Sequence, residues 1–368
     1  MNEVEKAIHR YSNSGRNEGY QLGYSNGYRL GSCQAVLNRI PEEHHPVRNM
    51  KVVYIPQGFD AIDLGITESL RGLVKDLIVA GSAEMMSVVP RERPDLVLVM
   101  NGLHVFPPEH HDHMDQIRQL GIKTALWLAD DPYFTDYTAS NVHHYDYIFT
   151  HEQNCVSFYK ELGCSQVHYL PLAMSPVTFH PKHVATQYLS DICFIGNAFW
   201  NRVSLFDTLA PYLADKKTVI AGGHWDRLSR YDLLKDRIRH GWVPIEETTN
   251  YYNGAKVVIN IHRPTEAGSD NNNSRNIIGT SINPRTYEIS GCGTLQITDV
   301  RDDLSLLYRP GYDIETFSTP EELQQKIEYY LQHEEERIRI ALRGLHTTRR
   351  KHMYTDRLER LLDIVFRS

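Results

Sequence analysis

Short apolar runs alternate along the chain with longer stretches in which apolar residues have helical spacing. Residues 51–56 and 95–100 are β-rich runs, and segment 66–78 between them has the spacing of a helix. The same alternation continues through three further runs, at 123–128, 145–150 and 166–170. Runs without a regular polar face are typical of parallel strands that helices cover on both sides. This series therefore predicts an α/β domain.

A second series of the same kind begins after residue 181. Its apolar runs are 191–196, 217–222, 255–261 and 294–298. Between the two series, Pro171, Pro176 and Pro181 remove backbone donors and favour extended backbone, which is typical of a linker. The pattern predicts two open parallel-sheet domains in tandem, whose strand carboxyl ends face an interdomain cleft.

These signals divide the chain into four parts. The divisions are an N-terminal extension (1–45), a first domain (46–178), a second domain (179–345) and a closing helix (346–368) that packs back on the first domain. The extension repeats Gly every four residues, each followed by Tyr at Gly19, Gly23 and Gly27. On a helix these glycines form one ridge, although each Gly costs about 1 kcal/mol relative to Ala. Two interpretations stay open: a flexible extension, or a helix that docks on a partner surface or on a second copy.

Composition narrows the class of protein. The 368 residues include 39 basic and 46 acidic side chains, a net charge of −7, which disfavours nucleic acid as a partner. No apolar run approaches the roughly 18–20 residues of a membrane span, and the N-terminus lacks the apolar core of a signal peptide. Five widely spaced cysteines without a C-x-x-C pair disfavour disulfides and thiolate zinc, so we expect a cytoplasmic protein.

Segment 283–299 is the most informative for chemistry. Asn283 can cap a helix that has Pro284 at its first position, and Arg285 and Glu288 follow within its first turns. A carboxylate there can accept the two hydroxyls of a ribose, and an Arg near a helix N-terminus can bind a diphosphate. The alternative is an Arg–Glu surface pair worth less than about 1 kcal/mol.

Other candidates lie at the ends of predicted strands. Gly196-Asn197 can present backbone amides to a phosphate, with Arg202 supplying positive charge. His262-Arg263 directly follows the run 255–261 and is either a ligand-binding pair or part of a solvated loop. Neither G-x-G-x-x-G nor G-x-x-x-x-G-K-[ST] occurs, which argues against dinucleotide and ATP sites.

The run R-x-x-E-x-x-x-C-G-x-x-x-x-x-D, from Arg285 to Asp299, resembles the signature of CgeB-like spore-maturation glycosyltransferases, relatives of the GT-B group-1 transferases. Five more pieces are similar to that family in the same order along the chain. They are WLADDP (127–132), LPLAMSPVTFHP (170–181), DICFIGNAFWNR (191–202), NYYNGAKVVINIH (250–262) and HMYTDRLERLL (352–362). The resemblance covers roughly residues 50–368.

The resemblance implies a GT-B fold of two Rossmann-like domains with a C-terminal crossover helix, and a hexosyltransferase that uses a nucleotide-sugar donor, UDP-linked. Glu288 would bind the donor ribose. The expected donor-site residues are Gly196, Asn197, Arg202, His262, Arg263, Arg285, Tyr287 and Glu288. Related enzymes often have a second Glu eight positions earlier, where this chain has Thr280, so an inactive nucleotide-sugar-binding assembly protein is the alternative.

Asp130 and Asp131 follow a predicted strand and are the candidate bases on the acceptor side. The alternative is an Asp-Pro turn that caps a helix. An acidic pair can also bind Mg²⁺ or Mn²⁺, but the GT-B resemblance implies that no metal cofactor is required. Neither Asp130 nor Asp131 indicates which acceptor the protein uses.

Overall fold

A computed structural model describes the backbone of residues 3–367 and the side chains of residues 12–367. Two six-stranded sheets, each with all strands parallel, are surrounded by helices. This confirms the α/β fold with two parallel-sheet domains. No helix within the described residues combines the length and apolar character that crossing a membrane requires.

The first domain is preceded by helix α1 (Glu3–Leu37). Its strands have the order β2-β1-β3-β4-β5-β6. The elements in chain order are β1 (Arg48–Ile55), α2 (Asp60–Leu73), β2 (Val74–Val79), α3 (Met85–Glu92), β3 (Leu96–Met100), α4 (His110–Gln119), β4 (Lys123–Leu128), α5 (Thr135–Asn141), β5 (Tyr147–Thr150), α6 (Gln153–Glu161) and β6 (Val167–Tyr169).

The second sheet has the order β12-β11-β10-β7-β8-β9. Its elements are β7 (Ser190–Ile195), α7 (Trp200–Ala214), β8 (Thr218–Gly222), α8 (Tyr231–Leu234), β9 (Ile238–His240), α9 (Ile245–Gly254), β10 (Ala255–Asn260), α10 (Pro284–Gly291), β11 (Leu295–Asp299), α11 (Leu304–Leu307), β12 (Glu315–Phe317) and α12 (Pro320–Gln332). Helices α13 (Glu334–Lys351) and α14 (Tyr354–Phe366) complete the chain.

Burial on both faces explains the continuous apolar runs. Along β3, Leu96, Leu98 and Met100 pack in one core cluster, whereas Val97 and Val99 pack in another on the opposite face. All five are fully buried. A strand covered on both sides therefore needs apolar residues at every position.

The chain packs back into the core of the first domain at α14. Backbone hydrogen bonds join Met174 of the linker to His352 and Tyr354, at 3.2 and 3.3 Å. From Tyr354 onward, apolar residues of α14 share the core of α2. A Cβ on Gly65 of α2 would lie 2.4 Å from the Tyr354 ring, so the close packing requires Gly there. The segment 346–351, which the sequence assigned to the closing helix, is instead the end of α13, because the helix is interrupted at His352.

Helix α1 docks through its C-terminal half. The Arg29 guanidinium donates to the carbonyls of Asn253 and Cys292 in the second domain, at 3.1 and 3.2 Å. Cys33 is fully buried beside it. Along the glycine ridge from Gly15 to Gly31, no atom lies within 4 Å of where a Cβ would be. The extension is therefore helical and anchored, with its glycine ridge open.

Candidate active site

A cleft of about 330 Å³ lies between the carboxyl ends of the two sheets. The loops after β1, β4 and β5 form one wall, and the loops after β7 to β10 with the start of α10 form the other. A larger cavity of about 440 Å³ lies at the opposite, amino-terminal ends of β4 to β6, near Lys123 and Gln166. Open parallel sheets bind ligands at their carboxyl ends, so we take the first cleft as the candidate active site.

Helix α10 presents two charged residues to the cleft. Asn283 caps the helix, since its Oδ1 accepts a hydrogen bond from the Thr286 amide at 3.2 Å, and Pro284 follows at the first helical position. Arg285 and Glu288 lie about one turn apart, and both line the cleft. The positive end of the helix dipole and the guanidinium together favour an anion at this position.

Glu288 is held in an environment that disfavours its charge. The residue is only 8% exposed, and burial raises the pKa of its carboxyl group to about 7, although the nearby Arg285 guanidinium acts to lower it. Within residues 12–367, burial and the Arg285 charge act on this carboxyl group, and no hydrogen bond to it contributes. Its oxygens are therefore available to a ligand hydroxyl.

The turn after β7 is shaped for close backbone approach. Gly196 and Asn197 line the cleft, and the Asn197 Oδ1 accepts a hydrogen bond from the Gly223 amide at 2.9 Å. Gly222 has a φ of 142°, and a Cβ there would lie 2.2 Å from the Gly196 carbonyl oxygen. The ends of β7 and β8 therefore require glycine where the two loops meet.

Arg202 lines the cleft but is largely occupied by its own domain. Its guanidinium donates to the carbonyls of Asn197 at 2.8 Å and Ile261 at 2.6 Å, and the residue is 1% exposed. Burial, together with the nearby Arg285 charge, lowers its pKa to about 9. Arg202 therefore links the turn after β7 to the end of β10 through hydrogen bonds, and it places a positive charge in the cleft wall.

Arg263 crosses the cleft to the first domain. Its guanidinium lies 4.6 Å from the centre of the Tyr133 ring and 4.7 Å from that of Phe199, within the range of cation–π attraction. It also donates to the carbonyl of Asp270. Arg202, Arg263 and Arg285 thus all line one cleft, which concentrates positive charge there in a chain whose net charge is −7.

Asp130 lines the first-domain wall of the cleft. Asn101 Nδ2 donates to its carboxylate at 2.9 Å. Burial raises the pKa of Asp130, while the positive charge of Arg263 opposes that shift. A partly buried carboxylate with a raised pKa and a fixed orientation is suited to accept a proton from an acceptor hydroxyl.

Asp131 faces the interior of the first domain. It is 1% exposed, and its carboxylate accepts hydrogen bonds from the Thr150 hydroxyl and the Tyr159 hydroxyl, both at 2.6 Å. Burial raises its pKa to about 6. The pair of candidate bases thus separates: Asp130 lies at the cleft, and Asp131 is a buried hydrogen-bond acceptor that does not line it.

His262 and Tyr287 also lie behind the cleft wall. The His262 Nδ1 donates to the Asp299 carboxylate at 2.6 Å, and its Nε2 accepts from the Asn283 amide at 3.0 Å. His262 therefore fixes the start of α10 against the second sheet. Tyr287 is fully buried against the rings of Tyr308 and His352. The sequence predicts both as donor-binding residues, but in the structure neither lines the cleft. Both instead hold the residues that form its wall.

His151 is a cleft residue that the sequence interpretation missed. It lines the cleft just after β5, and its Nε2 is 2.8 Å from the Asp131 carbonyl oxygen. A carbonyl can only accept, so Nε2 donates this hydrogen bond. The buried Nδ1 has no partner in the described structure. His151, like Asp130, directly follows a predicted strand, and this position is the sequence signal that could have identified it as a cleft residue.

The loop 264–282, which we call the interdomain strap, joins the two domains beside the cleft. Its Asn272 amide donates to the Tyr133 carbonyl at 2.8 Å, and its Ser274 hydroxyl donates to the Asp136 carboxylate at 2.6 Å. Its end binds Glu152, a buried residue at the start of α6. This Asn-rich segment is therefore tied down at several points.

A built metal site does not occur in the cleft among the described residues. Among the described residues, one group of three side chains has ligand atoms close enough to hold a metal ion: Glu43, His45 and Asp356. None of these three residues lines the cleft. The cleft instead offers arginine side chains and a helix N-terminus as sources of positive charge.

Two open parallel sheets facing one cleft, with a last helix that returns to the first sheet, define the GT-B class of glycosyltransferase fold. Sucrose-phosphate synthase from Thermosynechococcus elongatus matches 86% of this chain and 99% of its own with a TM-score of 0.59 and 11% identity. Anabaena HepE, solved in complex with UDP-glucose, matches 87% of this chain and 100% of its own with a TM-score of 0.59 and 10% identity.

Sequence comparison gives the family. Residues 202–363 match the family described as "Glycosyl transferase-like". Spore protein CgeB of Bacillus subtilis (strain 168) is 31% identical in an alignment of 301 positions that covers 79% of this chain and 91% of that protein. The chain belongs to the CgeB family of glycosyltransferase-like proteins, which confirms the resemblance inferred from its motifs.

Proposed function

We propose that the protein transfers a hexosyl group from a UDP-linked donor to a hydroxyl group of a glycan, protein or small-molecule acceptor. The observation that carries the proposal is the convergence of Arg263, Arg285 and Glu288 on one interdomain cleft. The family match and the fold shared with HepE, whose structure contains UDP-glucose, support it.

The donor follows the chemistry of the second-domain wall. The Glu288 carboxylate accepts hydrogen bonds from the ribose hydroxyls, because it lies in the cleft without a protein donor. Arg285 and the start of α10 bind the diphosphate, and the turn after β7 adds the Asn197 amide, since the Gly196 amide already donates to the Ala221 carbonyl at 2.8 Å. The sugar then extends towards the first-domain wall.

The transfer step needs a proton acceptor and a stabilised leaving group. An acceptor oxygen forms a bond to the anomeric carbon while the bond from that carbon to the β-phosphate oxygen breaks. Asp130 takes the proton of the acceptor hydroxyl, and UDP leaves with the electron pair of the broken bond. The charge that grows on UDP is balanced by Arg285 and Arg263.

Calorimetry and UDP release test this function in turn. Purified protein titrated with UDP, GDP and dTDP should bind UDP most tightly. Incubation with UDP-glucose, UDP-galactose and UDP-N-acetylglucosamine should then release UDP, slowly to water and faster with a suitable acceptor. Folded protein that binds none of the three nucleotides would exclude a nucleotide-sugar site.

A nucleotide-sugar-binding assembly protein without transfer activity is the second candidate. Thr280 favours it, because related enzymes often carry a Glu there and this hydroxyl is instead bonded to Glu152 at 2.9 Å. UDP binding without UDP release from any donor, across a panel of sugar acceptors, would favour this candidate over the transferase.

We also propose a self-association role for α1 and a reducing, cytoplasmic setting. Tyr20, Tyr24 and Tyr28 are more than half exposed on a helix whose glycine ridge is open, and the five cysteines are unpaired. Light scattering on the full chain should give a dimer that Gly19→Leu with Gly23→Leu dissociates. A monomer at all concentrations would exclude this contact.

A further inference from the structure

A further cavity, which we call the α1 cavity, lies between helix α1 and the second domain. Its volume is about 300 Å³, far more than the roughly 30 Å³ that one water molecule occupies in the liquid. Helix α1 forms one wall, and α13 with the amino-terminal ends of β7, β10 and β11 forms the others. The candidate active site lies at the carboxyl ends of these strands, and the two cavities share no lining residue.

The lining of the α1 cavity carries more positive than negative charge. Its charged residues are Arg29, Asp191, Lys217, Lys256, Glu334 and Arg337. Each of the two acids is paired with one of the bases, Asp191 with Lys256 at 2.7 Å and Glu334 with Arg337 at 3.3 Å. The other two bases, Arg29 and Lys217, form no ion pair within residues 12–367. The cavity wall therefore has two positive charges without acidic partners.

Ser190 at the start of β7 adds an unused hydroxyl group. It lines the cavity and is only 4% exposed, and its Oγ has no hydrogen-bond partner in the described structure. Side chains alternate along a strand, so Ser190 shares the sheet face of Ile192, which packs in one core cluster with Ala341 of α13. Ala341 lines the same cavity. The Ser190 hydroxyl therefore faces the cavity, where a ligand oxygen can satisfy it.

Lys217 lies next to Ser190 at the start of the neighbouring strand. The amide of Asp191, the residue after Ser190, donates to the Lys217 carbonyl at 2.8 Å. The Lys217 side chain is exposed, so a ligand can reach it from solvent. An ammonium group and a hydroxyl group side by side are two donors that one anion can accept from together.

We propose that the α1 cavity binds a small phosphorylated molecule, with its phosphate group at Lys217 and Ser190. A phosphate monoester carries about −1.5 to −2 charges at pH 7, which matches the two basic residues that lack an acidic partner. The guanidinium of Arg29 adds charge, since carbonyl oxygens already accept its hydrogen bonds. The bound molecule contacts both α1 and the second domain, so it stabilises the docked helix.

Calorimetric titration with inorganic phosphate, glucose 6-phosphate and glucose tests this site. Both phosphates should bind, and glucose should not. Lys217→Gln should weaken phosphate binding about 10- to 150-fold, the range for one hydrogen bond to a charged group. Lys216→Gln is the matched control, because Lys216 pairs with Glu328 and does not line the cavity. Ser190→Ala should also weaken binding, without lowering the melting temperature of the ligand-free protein.

Arg285→Gln separates this site from the candidate active site. Phosphate bound where we place the donor diphosphate should be lost in Arg285→Gln, whereas phosphate bound through Lys217 should remain. Hydrogen exchange gives the location: glucose 6-phosphate should slow amide exchange in residues 22–29 of the wild type but not of Lys217→Gln. Circular dichroism on each variant verifies that the fold is retained.

Three results would overturn the proposal and leave the proposed function standing. They are the absence of phosphate binding to the wild type, equal phosphate affinities in the wild type, Lys217→Gln and Ser190→Ala, and the loss of all phosphate binding in Arg285→Gln. The proposed function fails separately, if the folded wild type does not bind UDP.

Discussion

The carboxylate of Glu152 in the first domain is bonded to Thr280 in the second. The Thr280 amide donates to it at 3.0 Å and the Thr280 hydroxyl at 2.9 Å, while the Ser281 amide adds a third bond at 3.0 Å. Glu152 is 1% exposed and also accepts from the Asn154 amide at the start of α6. One buried carboxylate therefore joins the interdomain strap to the first domain and limits how far the cleft can open.

Glu152→Gln should loosen the contact between the domains. The amide nitrogen of Gln cannot accept a hydrogen bond, so either the Asn154 amide at the start of α6 or the Thr280 and Ser281 amides of the strap lose their partner. We expect this loss to cost about 1–3 kcal/mol. We expect a lower melting temperature and a larger radius of gyration by X-ray scattering. Glu161→Gln, an exposed change on the same helix, is the control. Equal scattering and stability in both variants would rule out the restraint.

Glu288→Gln should stabilise the ligand-free protein at high pH. The folded-state pKa of about 7 lies above the ordinary value of 4.5, so the folded protein binds more protons than the unfolded chain between these values. Wild-type stability therefore falls as pH rises through this window. Urea unfolding should show equal stabilities near pH 4.5 and a variant more stable by about 1–3 kcal/mol at pH 8. A pH-independent difference would contradict the raised pKa.

The same variant should bind UDP less tightly. The ionised carboxylate is the stronger acceptor for ribose hydroxyls, and its loss should weaken binding by about 1.5–3 kcal/mol at pH 8. Because Glu288 is largely protonated below pH 7, the wild-type advantage should shrink as the pH falls to 6. Calorimetric titration of both proteins across this pH range separates the effect of Glu288 ionisation on affinity from the effect of UDP ionisation, because the latter is the same for both proteins. Equal affinities at pH 8 would remove Glu288 from the site.

Asp130→Asn should reduce UDP release in the presence of acceptor by about 10²- to 10⁴-fold, the range for loss of a general base, while leaving UDP affinity unchanged. Asp131→Asn is the matched control one residue away. Its side chain is buried, so the change should lower the melting temperature without a comparable loss of turnover per folded molecule. A fully active Asp130→Asn variant would refute its role as the base.

Sequence patterns were sufficient for the two-sheet fold but not for its edges. Segment 66–78 has helical spacing, which predicts one helix, yet the structure ends α2 at Leu73 and begins the edge strand β2 at Val74. Central strands are apolar throughout, whereas β2 is partly exposed and lacks that signal. Strands β9 and β12 have three residues each and only one apolar residue apiece, so they lack the apolar run that predicts the equally short β6.

The candidate site was predictable where it depends on local signals. The Asn-Pro start of α10 places Arg285 and Glu288, and strand ends place Asp130 and Gly196. Adjacent residues after a strand point to different sides, and only the fold decides that Asp130 rather than Asp131 faces the cleft. The contacts of Arg29 and Glu152 join residues far apart in the chain, so no local pattern could reveal them.

The crystal structure of the protein with bound UDP is the most direct test of a nucleotide-sugar site in this cleft. We predict the ribose hydroxyl oxygens at about 2.5–3.0 Å from the Glu288 carboxylate, and the diphosphate at Arg285 and the start of α10. UDP bound outside the cleft, or with its ribose turned away from Glu288, would contradict this assignment.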